Sequence, residues 1–372
     1  MKYYLIAGEA SGDLHASNLM KALKNLDHKA VFRGFGGDLM AAQGLQVAKH
    51  YRELDFMGFV KVAMNLRTVL RNIKFCKKDI LDFQPDTVIL IDYPGFNLRI
   101  AEFLKQHKIK NVYYISPQIW AWKQSRVHQI KRNVDNMLVI LPFEQDFYKK
   151  FDYNVDFVGH PLLDAFQNEQ QNFDKTHFLT QHHLQPSKPI VALLPGSRRQ
   201  EIKKMLPLMT SLQAYFTDYQ FVIAGVSSIE TAFYEKYSAF PDTPIIVHAT
   251  RELLRSADAA LVTSGTASLE TALLKTPEII CYKGDYLSYL IARQLIKVNY
   301  IGLPNLIMDK PIVKELIQND FNRINLRNEL SELLLNPEKR QQVTADYDAL
   351  QQKLGGSGAS EKAAQLVWKQ VN

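Results

Sequence analysis

The sequence is poor in cysteine and has no long apolar run. Only Cys76 and Cys281 occur in 372 residues, far apart and in no metal-ligand or redox spacing. This excludes a disulfide framework and is typical of a reducing compartment. No stretch approaches the ~20 apolar residues of a transmembrane helix, and Gly8 and Glu9 come too early for the apolar core of a signal peptide. We expect a cytoplasmic protein that does not span a membrane.

The common nucleotide and metal motifs are also missing. The sequence has no G-x-G-x-x-G dinucleotide fingerprint and no Walker loop ending in G-K-[ST]. His, Cys, Asp and Glu residues show no recognisable metal-ligand spacing. We therefore predict neither a cofactor nor a metal.

The composition is that of a folded protein with a basic excess. Apolar residues make up 47% and charged residues 22%. A chain of 372 residues is longer than a single hydrophobic core usually supports, so we expect two domains. The net charge of +7 suits an anionic partner such as nucleic acid, a phosphorylated substrate or acidic lipid. A basic pI is equally common in proteins with no such partner, so charge leaves the choice open.

Short apolar runs alternate with longer amphipathic segments in both halves of the chain. This pattern is typical of parallel sheets covered on both faces, and its two series predict two doubly wound, Rossmann-like α/β domains. The predicted strands are Tyr3–Ala7, Thr87–Ile91, Val112–Ile115, Met137–Leu141 and Val155–Val158, then Ile190–Leu194, Gln220–Ala224, Ile245–Val247, Ala259–Thr263 and Glu278–Tyr282.

A polar segment at Gln167–Gln171 marks the boundary between the predicted domains. We assign residues 1–168 to the first domain and 169–354 to the second. A final helix at 359–371 is expected to pack back on the first domain. Two such domains facing a central cleft would hold ligands at the carboxyl ends of both sheets.

Two features of the first half carry candidate chemistry. The loop Gly8–Asp13 follows the first strand and precedes a helix expected to begin near Leu14, which Ser11 and Asp13 could cap. Asp92 ends a buried strand, where a partly desolvated carboxylate suits a general base. Structural roles, a tight turn for the loop and a turn-forming carboxylate for Asp92, remain open alternatives.

Trp120 and Trp122 precede a run of basic residues, and His160 ends the last strand of the first half. Aromatic rings beside cations can seat nucleic-acid bases, sugars or phosphates. No nucleic-acid-binding module accompanies them, so we predict no nucleic-acid partner. Packing in the core is the alternative for the tryptophans, and a structural role is the alternative for His160.

Two turns of the second half suit phosphate. Gly196, Ser197 and Arg198 follow one strand, where backbone amides and a guanidinium can neutralise phosphate oxygens. Ser264, Gly265 and Thr266 follow another strand, and Glu270 lies one helical turn further on, where it could accept hydrogen bonds from a ribose diol. Capping of the second helix by Thr266 and Glu270 is the alternative.

The segment Val60–Lys78 is basic and amphipathic, with no acidic residue. This pattern indicates contact with a membrane surface, and ordinary packing with solvated cations remains the alternative. The candidate contacts are Arg67, Arg71, Lys74 and Lys77. The aromatic-rich segment Tyr286–Tyr300 is a second candidate.

Taken in order, these segments resemble the lipid-A-disaccharide synthase family, which are inverting glycosyltransferases of the GT-B fold. The resemblance covers nearly the whole chain. The matching motifs are Gly8–Asp13, Ile91-Asp92 with Pro94 and Phe96-Asn97, Trp120-Ala121-Trp122, Leu141–Glu144, Gly159–Pro161, Leu194–Arg198 with Glu201, Ser264–Thr266, Leu303–Leu306 and Val313–Leu316.

The resemblance implies transfer from UDP-2,3-diacylglucosamine to 2,3-diacylglucosamine 1-phosphate (lipid X), which forms a β(1→6) disaccharide and releases UDP. It places Glu9 and Asp92 on the acceptor side, and Arg198 and Asn305 on the donor side. Many members carry a second acidic residue where this chain has Gly95, so the role of base falls on Asp92.

Other expectations follow from the same resemblance. The enzyme would need no metal and would be a cytoplasmic protein attached peripherally to the inner face of the inner membrane, where it meets acidic lipids. A homodimer is compatible with the resemblance. A related enzyme acting on another UDP-sugar, such as a peptidoglycan N-acetylglucosaminyl transferase or an epimerase, is one alternative. A non-catalytic module that binds membranes or anions is another.

Overall fold

The first sheet contains seven parallel strands in the order β3-β2-β1-β4-β5-β6-β7. The computed structural model describes residues 1–54, 66–169, 173–284 and 298–372. The central strands β1 and β4 are buried almost throughout, which is why their sequences are nearly continuous apolar runs. The strands are β1 (Lys2–Ala7), β2 (Val31–Gly36), β3 (Leu45–His50), β4 (Thr87–Ile91), β5 (Asn111–Tyr114), β6 (Asn136–Val139) and β7 (Asp156–Phe157).

Helices connect these strands in βαβ fashion, so the sheet is doubly wound. They are α1 (Ala10–Leu26), α2 (Asp38–Ala42), α3 (Leu66–Phe83), α4 (Pro94–Gln106), α5 (Ile119–Trp122), α6 (Val127–Asn133), α7 (Phe143–Lys149) and α8 (Leu162–Glu169), with short 3₁₀ turns at Tyr51–Glu53 and Gln124–Arg126.

The second sheet contains six parallel strands in the order β10-β9-β8-β11-β12-β13. Its strands are β8 (Ile190–Leu194), β9 (Gln220–Gly225), β10 (Ile245–Val247), β11 (Ala259–Thr263), β12 (Glu278–Tyr282) and β13 (Lys314–Ile317). Its helices are α9 (Lys175–Gln181), α10 (Arg199–Ser211), α11 (Thr231–Tyr237), α12 (Thr250–Ser256), α13 (Thr266–Leu273), α14 (Leu303–Met308), α15 (Arg323–Leu335) and α16 (Pro337–Lys353), with a 3₁₀ turn at Leu212–Ala214.

The chain divides into two compact units, one of residues 1–165 with 354–372 and the other of residues 166–353. The last helix, α17 (Ala359–Val371), therefore belongs to the first unit. Its buried residues Ala363, Ala364 and Val367 join the core that contains Leu19 and Leu23 of α1.

Asp164 attaches the start of α17 to the first unit. Its carboxylate accepts hydrogen bonds from the backbone amides of Gly358 (2.7 Å), Ala359 (3.2 Å) and Ser360 (2.8 Å), and from the Ser360 hydroxyl (2.7 Å). The carboxylate thus satisfies amides that a helix start leaves unpaired.

The structure confirms two doubly wound α/β sheets and corrects some local predictions. Strands β2, β3 and β13 were not predicted. Helix α1 begins at Ala10 rather than near Leu14, and no side chain caps it. Asp13 instead accepts from the amides of Gly37 (2.7 Å), Leu39 (3.1 Å) and Met40 (3.1 Å), at the start of α2.

Candidate active site

Glu9 and Asp92 follow neighbouring strands at the point where the strand order of the first sheet reverses. Strands β1 and β4 are paired in parallel, with Ala7 opposite Ile91, so both acidic residues leave the same edge. In open α/β sheets, this edge of the switch point is where ligands bind. The two carboxyl groups that the family resemblance assigns to the acceptor side thus follow adjacent strands, close enough for the charge of Glu9 to act on Asp92.

The backbone holds Asp92 in an uncommon conformation. Asp92 (φ 44°) and Tyr93 (φ 48°) both lie in the left-handed region, which is rare for consecutive residues other than glycine. The Asp92 carbonyl accepts hydrogen bonds from the Tyr113 hydroxyl (2.6 Å) and the Asn97 amide (2.8 Å). These two buried side chains fix the turn that presents the Asp92 carboxyl group.

Gly8 packs against the turn formed by Asp92 and Tyr93. A Cβ atom at residue 8 would lie 2.4 Å from the Tyr93 ring, so only glycine allows the ring to cover this turn. The Tyr93 ring also stacks on Phe96, with ring centroids 5.5 Å apart. The first glycine of the loop Gly8–Asp13 is therefore required by the residue that follows Asp92.

The Asp92 carboxyl group is electrostatically set for proton transfer near neutral pH. Burial, and then the negative charge of Glu9, raise its pKa to about 6, although a hydrogen bond from the Tyr93 backbone lowers it. A carboxylate of this pKa is a stronger base than an exposed aspartate and remains ionised at pH 7. Asp92 can thus accept a proton from a hydroxyl group that binds at this edge.

Glu144 is a second buried carboxyl group beyond the carboxyl end of β6. It accepts from the backbone amides of Ile140 (3.2 Å) and Leu141 (2.9 Å) and from the indole nitrogen of Trp120 (3.3 Å). Burial raises its pKa to about 7 despite these hydrogen bonds. Trp120 is accordingly buried in the core, whereas the Trp122 side chain is 44% exposed.

His160 has a structural place in the first unit. Its Nδ1 atom accepts a hydrogen bond from the Leu162 amide (3.3 Å) at the start of α8. Burial, followed by the charge of His15, lowers its pKa to about 3. His160 is therefore neutral across the physiological range, and we assign it no switch role.

In the second unit, an internal carboxylate occupies the first of the two predicted phosphate turns. Glu201 accepts from the amides of Ser197 (3.0 Å) and Arg198 (3.2 Å) and pairs with the Arg198 guanidinium (3.1 Å). Gly196 has φ +108°, and a Cβ atom there would lie 2.5 Å from the Glu201 carboxylate. Glycine thus permits the carboxylate to reach the turn, while the Arg198 side chain remains 65% exposed.

The second predicted phosphate turn is open. Gly265 precedes α13, no side chain caps this helix, and a Cβ atom at Gly265 would meet no described atom within 4 Å. Gly265 and Thr266 are exposed, and β11 leads into them beside β8, where the order of the second sheet reverses. Backbone amides at such a helix start favour an anion. The alternative for this turn, capping of the helix by Thr266 and Glu270, is not found.

Glu270 and Asn305, two predicted donor-site residues, both bond to neighbouring protein groups. Glu270 accepts from the Arg251 guanidinium at 2.6 Å. Asn305 is 1% exposed, and its amide donates to the Val313 carbonyl (2.9 Å) and the Glu315 carboxylate (2.8 Å). Both side chains therefore act on neighbouring protein groups in this arrangement.

Asn305 nevertheless connects to the open turn. Glu315 also accepts from the amides of Ile301 (3.0 Å) and Gly302 (3.0 Å), and the Ser264 hydroxyl donates to the Ile301 carbonyl (2.9 Å). A chain of hydrogen bonds thus runs from Asn305 through Glu315 and Ile301 to Ser264. The motif around Asn305 braces the turn that precedes α13.

The predicted membrane segment is described only from Leu66 onwards, as α3, which extends beyond Lys78 to Phe83. Arg67, Arg71 and Lys74 are exposed. Lys77 is half-buried, with its ammonium group 5.0 Å from the centre of the Phe103 ring. Residues 60–65 and 286–297 of the two candidate segments lie outside the described residues.

The exposed face of α3 also carries apolar side chains. Leu70 is 52% exposed and Phe75 is 43% exposed, whereas Ile73 is buried. Within the described ranges, no helix has the length and apolar character needed to cross a bilayer. The same ranges contain no group of three or more His, Cys, Asp or Glu side chains placed to hold a metal ion.

Comparison with known proteins gives a consistent result. Residues 3–369 match the family described as lipid-A-disaccharide synthetase. The lipid-A-disaccharide synthase of Syntrophus aciditrophicus (strain SB) is 40% identical over 370 residues, which cover 98% of this chain and 96% of that protein.

Solved structures share the fold at low sequence identity. A UDP-GlcNAc 2-epimerase from Neisseria meningitidis bound to UDP-GlcNAc has a TM-score of 0.71 at 12% identity, over 99% of this chain and 100% of that one. The glycotransferase of kitacinnamycin has a TM-score of 0.68 at 12% identity, over 100% of this chain and 99% of that one. The predicted GT-B fold is confirmed.

Proposed function

The chain belongs to the lipid-A-disaccharide synthetase family, and we propose that it transfers a diacylglucosaminyl group from UDP-2,3-diacylglucosamine to the 6-hydroxyl of 2,3-diacylglucosamine 1-phosphate. The products are the β(1→6) lipid A disaccharide 1-phosphate and UDP. The observation that carries the mechanism is the placement of Asp92 beside Glu9 at the switch point, with the pKa of Asp92 raised to about 6.

Asp92 is the general base. It takes the proton of the acceptor 6-hydroxyl while that oxygen forms a bond to the anomeric carbon of the donor. The bond from the anomeric carbon to the diphosphate oxygen breaks on the opposite face, and its electron pair leaves with UDP, which inverts the configuration. Glu9 raises the basicity of Asp92 and orients the acceptor.

The donor diphosphate binds at the start of α13, through the backbone at Gly265 and Thr266. These amides and the exposed Arg198 guanidinium stabilise the charge that develops on the leaving group. Glu201 fixes the Arg198 turn, since its carboxylate already holds the amides of Ser197 and Arg198. Asn305 and Glu270 support the donor site indirectly, through their protein partners.

The exposed basic and apolar face of α3 contacts the inner face of the inner membrane. Cations there attract acidic lipids, while Leu70 and Phe75 enter the interfacial region. Attachment of this kind gives the enzyme access to acylated substrates that reside in a bilayer.

Product analysis with the two lipid substrates tests the proposed function. The enzyme should release UDP and form disaccharide only when donor and acceptor are both present. Asp92→Asn should keep its affinity for UDP and lose most of its turnover. Near-normal transfer by this variant would exclude Asp92 as the base. Conversion of UDP-GlcNAc without any acceptor would instead indicate an epimerase.

A further inference from the structure

Trp122, Lys123 and Arg126 form a cationic surface patch that the mechanism above does not use; Trp122 and Lys123 are exposed, and Arg126 is half-buried. The Lys123 ammonium lies 4.3 Å and the Arg126 guanidinium carbon 6.0 Å from the centre of the Trp122 ring. Cation–π attraction of this kind holds positive charges at an aromatic surface. The ring thus gathers two cations on one small area, which we call the Trp122 patch.

The Trp122 patch is anchored to the first sheet. Trp120, two residues earlier, is buried against Phe143 with ring centroids 5.0 Å apart, and its indole nitrogen donates to Glu144. The Gln124 side chain donates to the Trp120 carbonyl at 3.0 Å. The patch is therefore held on both sides of Trp122 by contacts with a buried residue.

The charge of the patch is uncompensated among the described residues. The sequence from Ser116 to Val134 contains no aspartate or glutamate. Neither Lys123 nor Arg126 forms an ion pair with a carboxylate in the parts of the chain that the structure describes, whereas Lys105 pairs with Asp135 at 2.7 Å. Such a concentration of cations favours an anionic ligand.

The patch lies at the same sheet edge as Asp92. It follows β5, whose neighbour β4 ends at Ile91, directly before Asp92. The hydroxyl of Tyr113 donates to the Asp92 carbonyl, and the positive charge of Arg126 is close enough to oppose the rise in the Tyr113 pKa that burial and then Asp92 produce. An anion on the patch would therefore lie on the Asp92 side of the unit.

We propose that the Trp122 patch is the subsite for the phosphate monoester of the acceptor. This assignment rests on the proposed function, in which the acceptor carries a 1-phosphate and the hydroxyl that attacks lies near Asp92. Lys123 and Arg126 neutralise the phosphate, and Trp122 keeps their side chains gathered. The patch would then select a phosphorylated sugar and orient its 6-hydroxyl toward Asp92.

The test compares an acceptor with its dephosphorylated form, 2,3-diacylglucosamine, both in neutral detergent micelles. Replacing Lys123 and Arg126 with Gln should raise the KM for the phosphorylated acceptor by about tenfold or more, because two charge-assisted contacts are lost. The KM for the donor and the rate with the dephosphorylated acceptor should not change. Arg132→Gln, on the exposed surface of α6, is the matched control.

Binding provides a readout that is independent of turnover. Glucosamine 1-phosphate should change the tryptophan fluorescence of the wild-type protein but not that of the double variant. Trp122→Phe should also lose the change, which would show that the signal comes from Trp122. The subsite assignment would be overturned if the double variant lost activity equally with both acceptors. It would also be overturned if the KM of the double variant for the phosphorylated acceptor equalled that of Arg132→Gln. Loss of binding to phosphatidylglycerol vesicles with acceptor preference intact would also overturn it and assign the patch to membrane phosphate.

The two proposals can fail separately. If the wild-type protein forms disaccharide but the double variant keeps its preference for the phosphorylated acceptor, only the subsite is wrong. If the wild-type protein forms no disaccharide from either acceptor, the proposed function is wrong and the subsite assignment falls with it.

Discussion

Glu9 and Asp92 leave the carboxyl ends of the paired strands β1 and β4, and the negative charge of Glu9 helps to raise the pKa of Asp92 to about 6. Burial supplies the larger part of that rise. The raised pKa of Asp92 therefore has two causes, which are its burial and the neighbouring charge of Glu9. A single substitution can remove the second cause.

Glu9→Gln should shift the pH profile of transfer. Activity of the wild-type enzyme should fall on the acid side with an apparent pKa of about 6, because only ionised Asp92 accepts the proton. Removing the repulsion from Glu9 makes ionised Asp92 easier to form. The acid limb of kcat/KM should then move to lower pH, whatever the loss in maximal rate.

The matched control is Glu102→Gln, an exposed change on α4, which should leave the limb in place. An acid limb that stays at the wild-type pH in Glu9→Gln would show that the titrating group does not sense Glu9.

Much of the fold follows from local sequence because the central strands are buried on both faces. The runs that form β1, β4, β8 and β11 are mostly apolar, with polar residues only at the strand ends Lys2, Thr87 and Thr263 and in the tyrosine hydroxyls of β1. Strands β3 and β13 lie at sheet edges, and their exposed faces admit Lys, Gln and Glu, which hides the strand pattern. In β2, Arg33 and Gly34 interrupt the apolar run, and Arg33 is accommodated by its ion pair with Asp79 at 2.7 Å.

The candidate site was predictable in part, for a related reason. The position of Asp92 after a buried strand indicates its place at the ligand-binding edge. Asn97 belongs to the same motif, but its bond to the Asp92 carbonyl is not visible in the sequence, and Tyr113 comes from the next strand. Asn305 shows the converse, since its motif suggests a donor contact while the tertiary structure gives it protein partners.

Asn305→Ala should weaken the donor site without contacting the donor. The substitution removes the amide that bonds to Val313 and Glu315, and so loosens the backbone carbonyl of Ile301 that receives the Ser264 hydroxyl. Loss of this buried hydrogen bonding should raise the KM for the UDP-sugar by about tenfold. Initial rates at varied donor and acceptor concentrations would separate the two effects.

The acceptor KM should remain near its wild-type value in Asn305→Ala. Ser264→Ala removes the hydroxyl at the other end of the same chain of hydrogen bonds. It should also raise the KM for the UDP-sugar. An unchanged donor KM in both variants would contradict the bracing role.

Glu278→Gln should flatten the pH dependence of stability. Glu278 is 1% exposed, and burial and then the charge of Glu315 raise its pKa well above the usual value. The folded state thus retains a proton that the unfolded state releases above its ordinary pKa. Wild-type stability should fall as pH rises through this range, with a contribution of up to about 1.4 kcal/mol per pH unit from this group.

Gln cannot ionise, so the variant lacks that contribution. Urea unfolding at pH 5 to 8 should show the stability of Glu278→Gln, relative to wild type, increasing with pH. Glu235→Gln, an exposed change on α11, serves as the control. Parallel curves for wild type and Glu278→Gln would mean that Glu278 is ionised in the folded protein.

Asp164→Ala should destabilise the first unit by about 2 kcal/mol, because the start of α17 loses a charged acceptor for three amides and a hydroxyl. All three tryptophans, Trp120, Trp122 and Trp368, lie in this unit. Tryptophan fluorescence during urea unfolding therefore reports on this unit specifically. The exposed Asp242→Ala, in the second unit, should leave the transition unchanged.

Asp164→Asn offers a milder change, since one oxygen acceptor remains. Its transition should lie between those of the wild type and Asp164→Ala. A midpoint of Asp164→Ala equal to that of the wild type would show that α17 stays docked without the carboxylate.

Replacing Arg67, Arg71 and Lys74 with Gln should weaken binding to acidic vesicles by about a hundredfold. Each cation near an anionic surface contributes about 1 kcal/mol, and the three side chains are exposed on α3. Sedimentation with phosphatidylglycerol vesicles measures the change, and added salt should reduce the wild-type binding toward that of the variant because salt screens exposed charges.

The control variant changes the exposed Lys21, Lys29 and Lys149 to Gln, which alters the net charge equally. It should bind vesicles nearly as the wild type does, since a local basic surface rather than total charge determines the attraction. Lys77→Gln should also have a small effect, because this cation lies over the Phe103 ring. Equal losses in the two triple variants would place the membrane contact outside α3.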